Sequence, residues 1–192
     1  MKSPALLLVF LNLLYIGLLP RIFFRKDGHF NARWWVTAAP FLVCAGYLVM
    51  VALGMTGIPA ATDASLGALL ELVAMASSTA SIALISFTLG THRAPLSLWH
   101  QENDMPSSIV TYGAYRRIRH PFYAAFLLAL LAASLLSPHV ATLGALVCGF
   151  IALNATAARE ERRLLDSPFG KAYADYMRMT GRFWPAWRTH GT

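Results

Sequence analysis

The chain has 192 residues, of which 57% are hydrophobic and 13% charged, about half the charged share of an ordinary soluble domain. Mean hydropathy is +0.52 and the formal net charge is +7, a combination that excludes a disordered chain and argues against a soluble globule. The length suits one domain, and the apolar runs explain the basic balance better than a nucleic-acid partner does, because basic residues of membrane proteins collect in their cytoplasmic loops.

A helix that crosses a bilayer needs about 20 mostly apolar residues. The first such run spans about 5–24, interrupted late by Arg21, which with Arg25 and Lys26 reads as a stop-transfer flank. No clean small-residue cleavage site follows, so it reads as a retained span rather than a signal peptide. The second, about 34–58, starts at the interfacial pair Trp34 and Trp35 and is expected to end at Gly57-Ile58-Pro59. The third, about 66–89, has one acid near its start, Glu71. Its small residues Ala74, Ala76, Ser77, Ser78, Ala80, Ser81 and Ala83 allow close helix packing within the chain. They do not fix the oligomeric state.

From Pro121 to Ala158 there are 38 residues without Asp, Glu, Lys or Arg. Ser137-Pro138-His139 divides the stretch, and Pro disfavours helix both at its own amide and in the residue before it. The expected form is a hairpin with arms at about 122–137 and 140–158. The total is five transmembrane helices in an all-α membrane domain, followed by a cytoplasmic helical tail. With five spans, 15 basic residues fall on one side and only Lys2 on the other. The positive-inside rule then puts the N-terminus outside and the C-terminus in the cytoplasm. Cys44 and Cys148 sit inside apolar runs, and no CxxC pair suggests a metal or disulfide framework.

Two segments carry polar chemistry. Arg159 to Leu165 can prolong the fifth span as helix. Ser167-Pro168 then suggests an N-cap with Pro at the first helical position. Phe169, Ala172, Tyr173 and Tyr176 form an aromatic face at helical spacing, and Gly181 suits a helix stop. This helix is either amphipathic on the membrane surface or a lid over a site. The other segment ends in Arg119-His120-Pro121-Phe122-Tyr123. Pro121 suits the first position of span four. The amides of Phe122, Tyr123 and Ala124 would then be free to seat a carboxylate or phosphate. A hairpin returns Glu160-Glu161 to the same end. An anion seat facing two carboxylates suits a zwitterionic ligand; a basic collar with surface ion pairs is the plainer reading.

Gly113-x-Tyr115-x-x-x-Arg119-His120-Pro121-x-Tyr123, an apolar hairpin, Glu160-Glu161-x-x-Leu164 and Phe169-Gly170-x-x-Tyr173-x-x-Tyr176, in that order, closely resemble the isoprenylcysteine carboxyl methyltransferase family. The related membrane phospholipid N-methyltransferases are similar in their final third. Arg182 and Pro185 suit the family's ending, and the resemblance covers about residues 86–185. Family members often have Gly-Pro-Tyr where this chain has Gly113-Ala114-Tyr115. A Gly often follows the tyrosine where Ala124-Ala125 stand here.

The resemblance implies S-adenosylmethionine (SAM) as methyl donor and a cofactor pocket over about 90–185, at the cytoplasmic ends of the last two spans and under the tail. His120 or Arg119, with the amides after Pro121, would hold the carboxylate. Glu160 or Glu161 would take the ammonium or the ribose hydroxyls. Tyr115, Tyr123 and Tyr173 would flank the adenine or the sulfonium, with Gly113 giving close approach. The acceptor is expected to be lipophilic, with carboxyl O-methylation favoured. Arg116, Arg117 or Arg182 would hold a carboxylate; an amine would need Glu160, Glu161 or His100 as base.

The loop 91–106, with His92, Arg93, Trp99, His100, Glu102 and Asp104, fits the family less well and suggests substrate specificity. No third ligand joins His92 and His100 to suggest a metal. The absence of GxGxxG and of strand–helix alternation excludes a soluble Rossmann methyltransferase. The remaining rivals are a phospholipid-type N-methyltransferase, an NADPH-dependent reductase of sterol-reductase type and a non-enzymatic membrane protein. The Glu160-Glu161 pair argues against a dinucleotide site. The near absence of charge within the spans argues against an ion path.

Overall fold

In a computed structural model, residues 3–18, 29, 32–56, 64–91 and 109–186 are described. Among them every named element is helical: α1 Pro4–Leu18, α2 Ala32–Ala52, α3 Ala64–Thr91, a 3-10 turn Gly113–Arg116, α4 Pro121–Leu136, α5 Val140–Leu165 and α6 Gly170–Met179. One isolated parallel bridge, Ile118 to Gly181, is the only β pairing among these residues. The basic residues Lys2, Arg21, Arg25, Lys26, Arg93 and Arg188 lie outside the described residues. So do Gly57 to Pro59 and the whole stretch 92–108 with His92, His100, Glu102 and Asp104.

Two helices, α3 with 28 residues and α5 with 26, are long and apolar enough to cross a membrane. The apolar stretches of α1, α2 and α4 are shorter, Pro4–Ile16, Ala38–Ala52 and Pro121–Leu136. α2 stops six residues before the expected limit. Gly54 sits at φ +74, a left-handed conformation open to glycine and costly for other residues. Leu53, Gly54 and Met55 close the last turn through bonds to Val49, Val51 and Met50 carbonyls. The stop is made at Gly54, upstream of the glycine-proline signal.

α4 lies at the centre, packed against α1, α2, α3 and α5. Its small residues Ala124, Ala125, Ala129, Ala132 and Ala133 are fully or almost fully buried, so neighbouring backbones approach closely. Of the small residues in α3, Ala74, Ser78 and Ser81 face inward with Ile85 and Thr88, while Ala76, Ala80 and Ala83 face outward. Asn12 of α1 donates through Nδ2 to the Ser78 carbonyl at 3.3 Å and to Ser78 Oγ at 3.1 Å. Ser81 Oγ donates to the Ala125 carbonyl at 2.8 Å. This buried polar knot fixes the register of α1, α3 and α4.

The hairpin forms where the sequence places it. His139 caps α5 by accepting from the Ala141 amide at 3.2 Å. Thr142 Oγ1 donates to the Ser137 carbonyl at 2.7 Å, and the ring of His139 stacks on Tyr47 of α2 at 4.5 Å. Ser3 bonds to Glu71 at this same end. The opposite end gathers the end of α3, the 3-10 turn, the start of α4, the end of α5 and α6. α5 continues as helix beyond residue 158, as the sequence suggests.

Candidate functional site

The basic end is built on two helix termini. Pro121 opens α4 with His120 as N-cap. The Ala124 amide donates to the His120 carbonyl at 3.0 Å, so it is taken by the helix and does not contribute to an anion seat. α5 brings Glu160 and Glu161 to the same level.

Glu161 is 3% exposed and is used on both oxygens. Arg119 Nε donates to Oε1 at 2.9 Å, Arg182 Nε donates to Oε1 at 3.2 Å and Arg182 Nη2 donates to Oε2. Burial pushes the Glu161 carboxyl up, but the nearby His120 ring and the bonds from Arg182 and Arg119 outweigh this and hold it well below the usual carboxylate range. The Arg182 guanidinium is in turn held charged more firmly by Glu161.

Glu160 accepts from Tyr123 Oη at 2.7 Å and lies 3.4 Å from His120 Nδ1. The His120 ring stacks parallel to Tyr123 at 5.4 Å. Its Nε2 is 3.3 Å from Glu161 Oε1 but out of line, so this buried nitrogen has no hydrogen bond in proper geometry. Burial alone would lower the pKa of His120. The carboxylates of Glu160 and Glu161 raise it above its ordinary value.

The tail is strapped onto this cluster. The Arg119 amide donates to the Gly181 carbonyl at 2.9 Å, the His120 amide to the Arg182 carbonyl at 3.0 Å and the Gly181 amide to the Arg117 carbonyl at 3.2 Å. Arg119 Nη1 also donates to the Met177 and Thr180 carbonyls at the end of α6. Gly181 is not left-handed. It is required by close approach, because a Cβ there would lie 1.7 Å from the Trp184 carbonyl oxygen.

α6 begins at Gly170 with Phe169 as N-cap, not at Ser167-Pro168. Ser167 Oγ instead closes the preceding turn, accepting from the Phe169 amide at 3.2 Å and donating to the Leu164 carbonyl at 2.6 Å. Tyr173 and Tyr176 are buried and Ala172 is exposed. The aromatic face therefore turns inward. Tyr176 Oη donates to the Tyr115 carbonyl at 2.6 Å, its hydroxyl pushed up to about 12 chiefly by burial. Burial likewise raises Tyr115 and Tyr173. Of the two readings open for this helix, the packing favours the cover over the site.

The sequence-expected residues thus divide. Arg119, His120, Pro121, Tyr123, Glu160, Glu161, Tyr173 and Arg182 converge. Gly113 has φ +61 and packs on the end of α3, where a Cβ would lie 2.3 Å from Thr91 Oγ1; it shapes the turn that presents Tyr115. Arg116 and Arg117 are exposed on and just after this turn, and the structure does not bring their side chains into the cluster. Asn154 is the residue that motif reading missed. It accepts from Arg182 Nη1 at 2.7 Å, and its signal was being the only Asn or Gln between 121 and 158.

No family model, curated protein or solved structure matches this chain. Between α5 and the tail lies an open hollow of about 620 Å³, with Arg119, Asn154 and Arg182 at its polar end and Phe150, Phe183 and Trp184 among its walls. Among the described residues no three His, Cys, Asp or Glu side chains are grouped to hold a metal.

The donor set suits the expected methyl donor. Carboxylates can meet an ammonium or ribose hydroxyls, guanidiniums a carboxylate, and tyrosine rings a flat base or a cation. The basic and acidic sides are joined directly to each other, so a zwitterion between them has to exchange with these internal pairs.

Proposed function

We propose that this chain is an integral membrane, SAM-dependent methyltransferase acting on a lipophilic acceptor, with carboxyl O-methylation favoured. The observation that carries the reading is the convergence of Arg119-His120-Pro121-Phe122-Tyr123 with Glu160-Glu161 and Arg182 at one end of an apolar bundle, under a strapped tail. Its identity as a methyltransferase rests on the resemblance to the isoprenylcysteine carboxyl methyltransferase family. Five spans, an outside N-terminus and a cytoplasmic C-terminus are part of the proposal. The apolar windows of α3 and α5 are each only 28% buried, which suits lipid contact.

SAM would supply an activated methyl group on a sulfonium. His120, Arg119, Glu160 and Tyr123 would hold its polar groups, with Tyr115 and Tyr173 on the aromatic side. α6 and the tail would exclude water from the cluster. Arg182, facing the hollow, would orient an acceptor carboxylate, which is already ionised and needs no base. An amine acceptor would require Glu160 to receive its proton.

The test is calorimetric titration of SAM and, separately, of NADPH into the detergent-solubilised protein. SAM binding with no NADPH binding is expected; the reverse identifies a reductase and overturns the reading. Reporter fusions at Lys2 and Thr192 are expected on opposite sides of the membrane. Fusions on the same side overturn the five-span topology.

A further inference from the structure

Phe150 lies eleven residues before Glu161 on α5, about 16 Å along the helix axis. Ala158 ends the uncharged stretch. Measured from there, Phe150 is about 12 Å inside a hydrocarbon layer about 30 Å thick. The tail follows it inward. Phe183 is buried, with its ring edge-on to His120 at 6.3 Å and to Phe150 at 6.2 Å. Trp184 and Pro185 come with it, as walls of the hollow beside Phe150 and Asn154. The strap tied at Arg117, Arg119 and His120 thus runs along α5 past the level at which that helix becomes charged.

Non-helical backbone at membrane depth must have its polar groups met by protein. The Gly181 and Arg182 carbonyls and the Gly181 amide are bonded to Arg119, His120 and Arg117, and Pro185 has no amide hydrogen to satisfy. The charge carried in with the strap, Arg182, is met by Glu161 on one edge and by Asn154, four residues inside Ala158, on the other. Polar groups within a span pair with one another in this way. Trp184 is 56% exposed, beside the exposed apolar row Val147, Phe150 and Ile151 of α5. Tryptophan favours the depth at which a bilayer meets water.

We propose that residues 181–186 re-enter the membrane and that Trp184 is a lipid contact that anchors the closed tail in the cytoplasmic leaflet. The occupant of the exposed Trp184 face is bilayer lipid, because that face continues the outer face of α5 at the same depth. Closure of the tail over the cluster is thereby tied to the bilayer as well as to the internal pairs. The proposal goes beyond the methyltransferase reading and rests only on the membrane placement of α5.

The first test is fluorescence of the full chain in phosphatidylcholine nanodiscs, with Trp34, Trp35, Trp99 and Trp187 replaced by Phe so that Trp184 alone emits. Lipids brominated high on the acyl chains are expected to quench Trp184 strongly, and acrylamide in the water weakly. Strong acrylamide quenching puts the ring in water, and quenching by neither puts it under protein such as a second copy. Either result overturns the proposal. In the same background, Val147→Trp combined with Trp184→Phe reports α5 itself. Bromolipid quenching of neither position removes the membrane placement and the strap with it. Quenching at position 147 but not at Trp184 removes the re-entrant strap alone.

The second test leaves the other tryptophans in place. Trp184→Leu and Trp184→Gln lose the same ring from the hollow and differ in their partition into lipid. Limited proteolysis in the same nanodiscs is expected to release the tail of Trp184→Gln about tenfold faster than that of Trp184→Leu, since cleavage follows the open population. Equal digestion of the two variants overturns the anchoring role of Trp184.

Discussion

Arg119 Nε and Glu161 Oε1 are 2.9 Å apart although 42 residues separate them in the chain. The same carboxylate receives Arg182 from the tail, so one buried acid joins the start of α4, the end of α5 and the strap. This makes Glu161 as much a structural residue as a candidate ligand.

Glu161→Gln is expected to lower stability by about 3 kcal/mol, the low end for breaking a buried charge pair because Arg182 is partly exposed. Glu160→Gln keeps an acceptor for Tyr123 Oη and is expected to cost about 1 kcal/mol. Thermal melting of the two variants checks the order. A Glu161→Gln protein as stable as Glu160→Gln would show that the shared carboxylate is not the joint.

His120 predicts a pH dependence. Its folded pKa is raised above the ordinary value by Glu160 and Glu161, against the effect of burial. A raised base stabilises the fold fully below its unfolded pKa, near 6.5, and loses that contribution as pH rises through the folded pKa. Melting temperature should therefore decline above about pH 6.5, and His120→Asn should flatten this part of the profile. An unchanged slope in the variant assigns the titration elsewhere.

Gly181→Ala places a Cβ against the Trp184 carbonyl. Backbone must move, at about 1–3 kcal/mol for overpacking, and the expected result is release of the tail. Limited proteolysis should cut after residue 179 faster than in the parent. Gly144→Ala, where the added Cβ meets nothing within 4 Å, should digest like the parent.

Asn12→Leu removes the buried bonds to Ser78. Interhelical hydrogen bonds within a membrane bundle are worth about 1 kcal/mol, so a loss of that size is expected. Unfolding of the reconstituted protein measures it, with Leu11→Ala on the exposed face of α1 as a near-neutral comparison.

The sequence by itself determined the helical, apolar character of the chain, the turn at Ser137-Pro138-His139 and the return of Glu160-Glu161 to the level of Arg119-His120-Pro121. These are local or counting properties. Apolar run lengths and the conformational limits of proline do not depend on distant partners.

Only the tertiary structure decided which acid does what. Adjacent residues on a helix point about 100° apart, so the rotation of α5 against α4 turns Glu161 toward Arg119 and Arg182 and leaves Glu160 to Tyr123 and His120. The same packing gave Ser167 to a turn instead of the cap of α6, left Arg116 and Arg117 on the surface and paired Asn154 with Arg182. Each of these depends on where a distant segment comes to lie, because a polar group in an apolar surrounding is held by whichever partner the fold brings within hydrogen-bond reach.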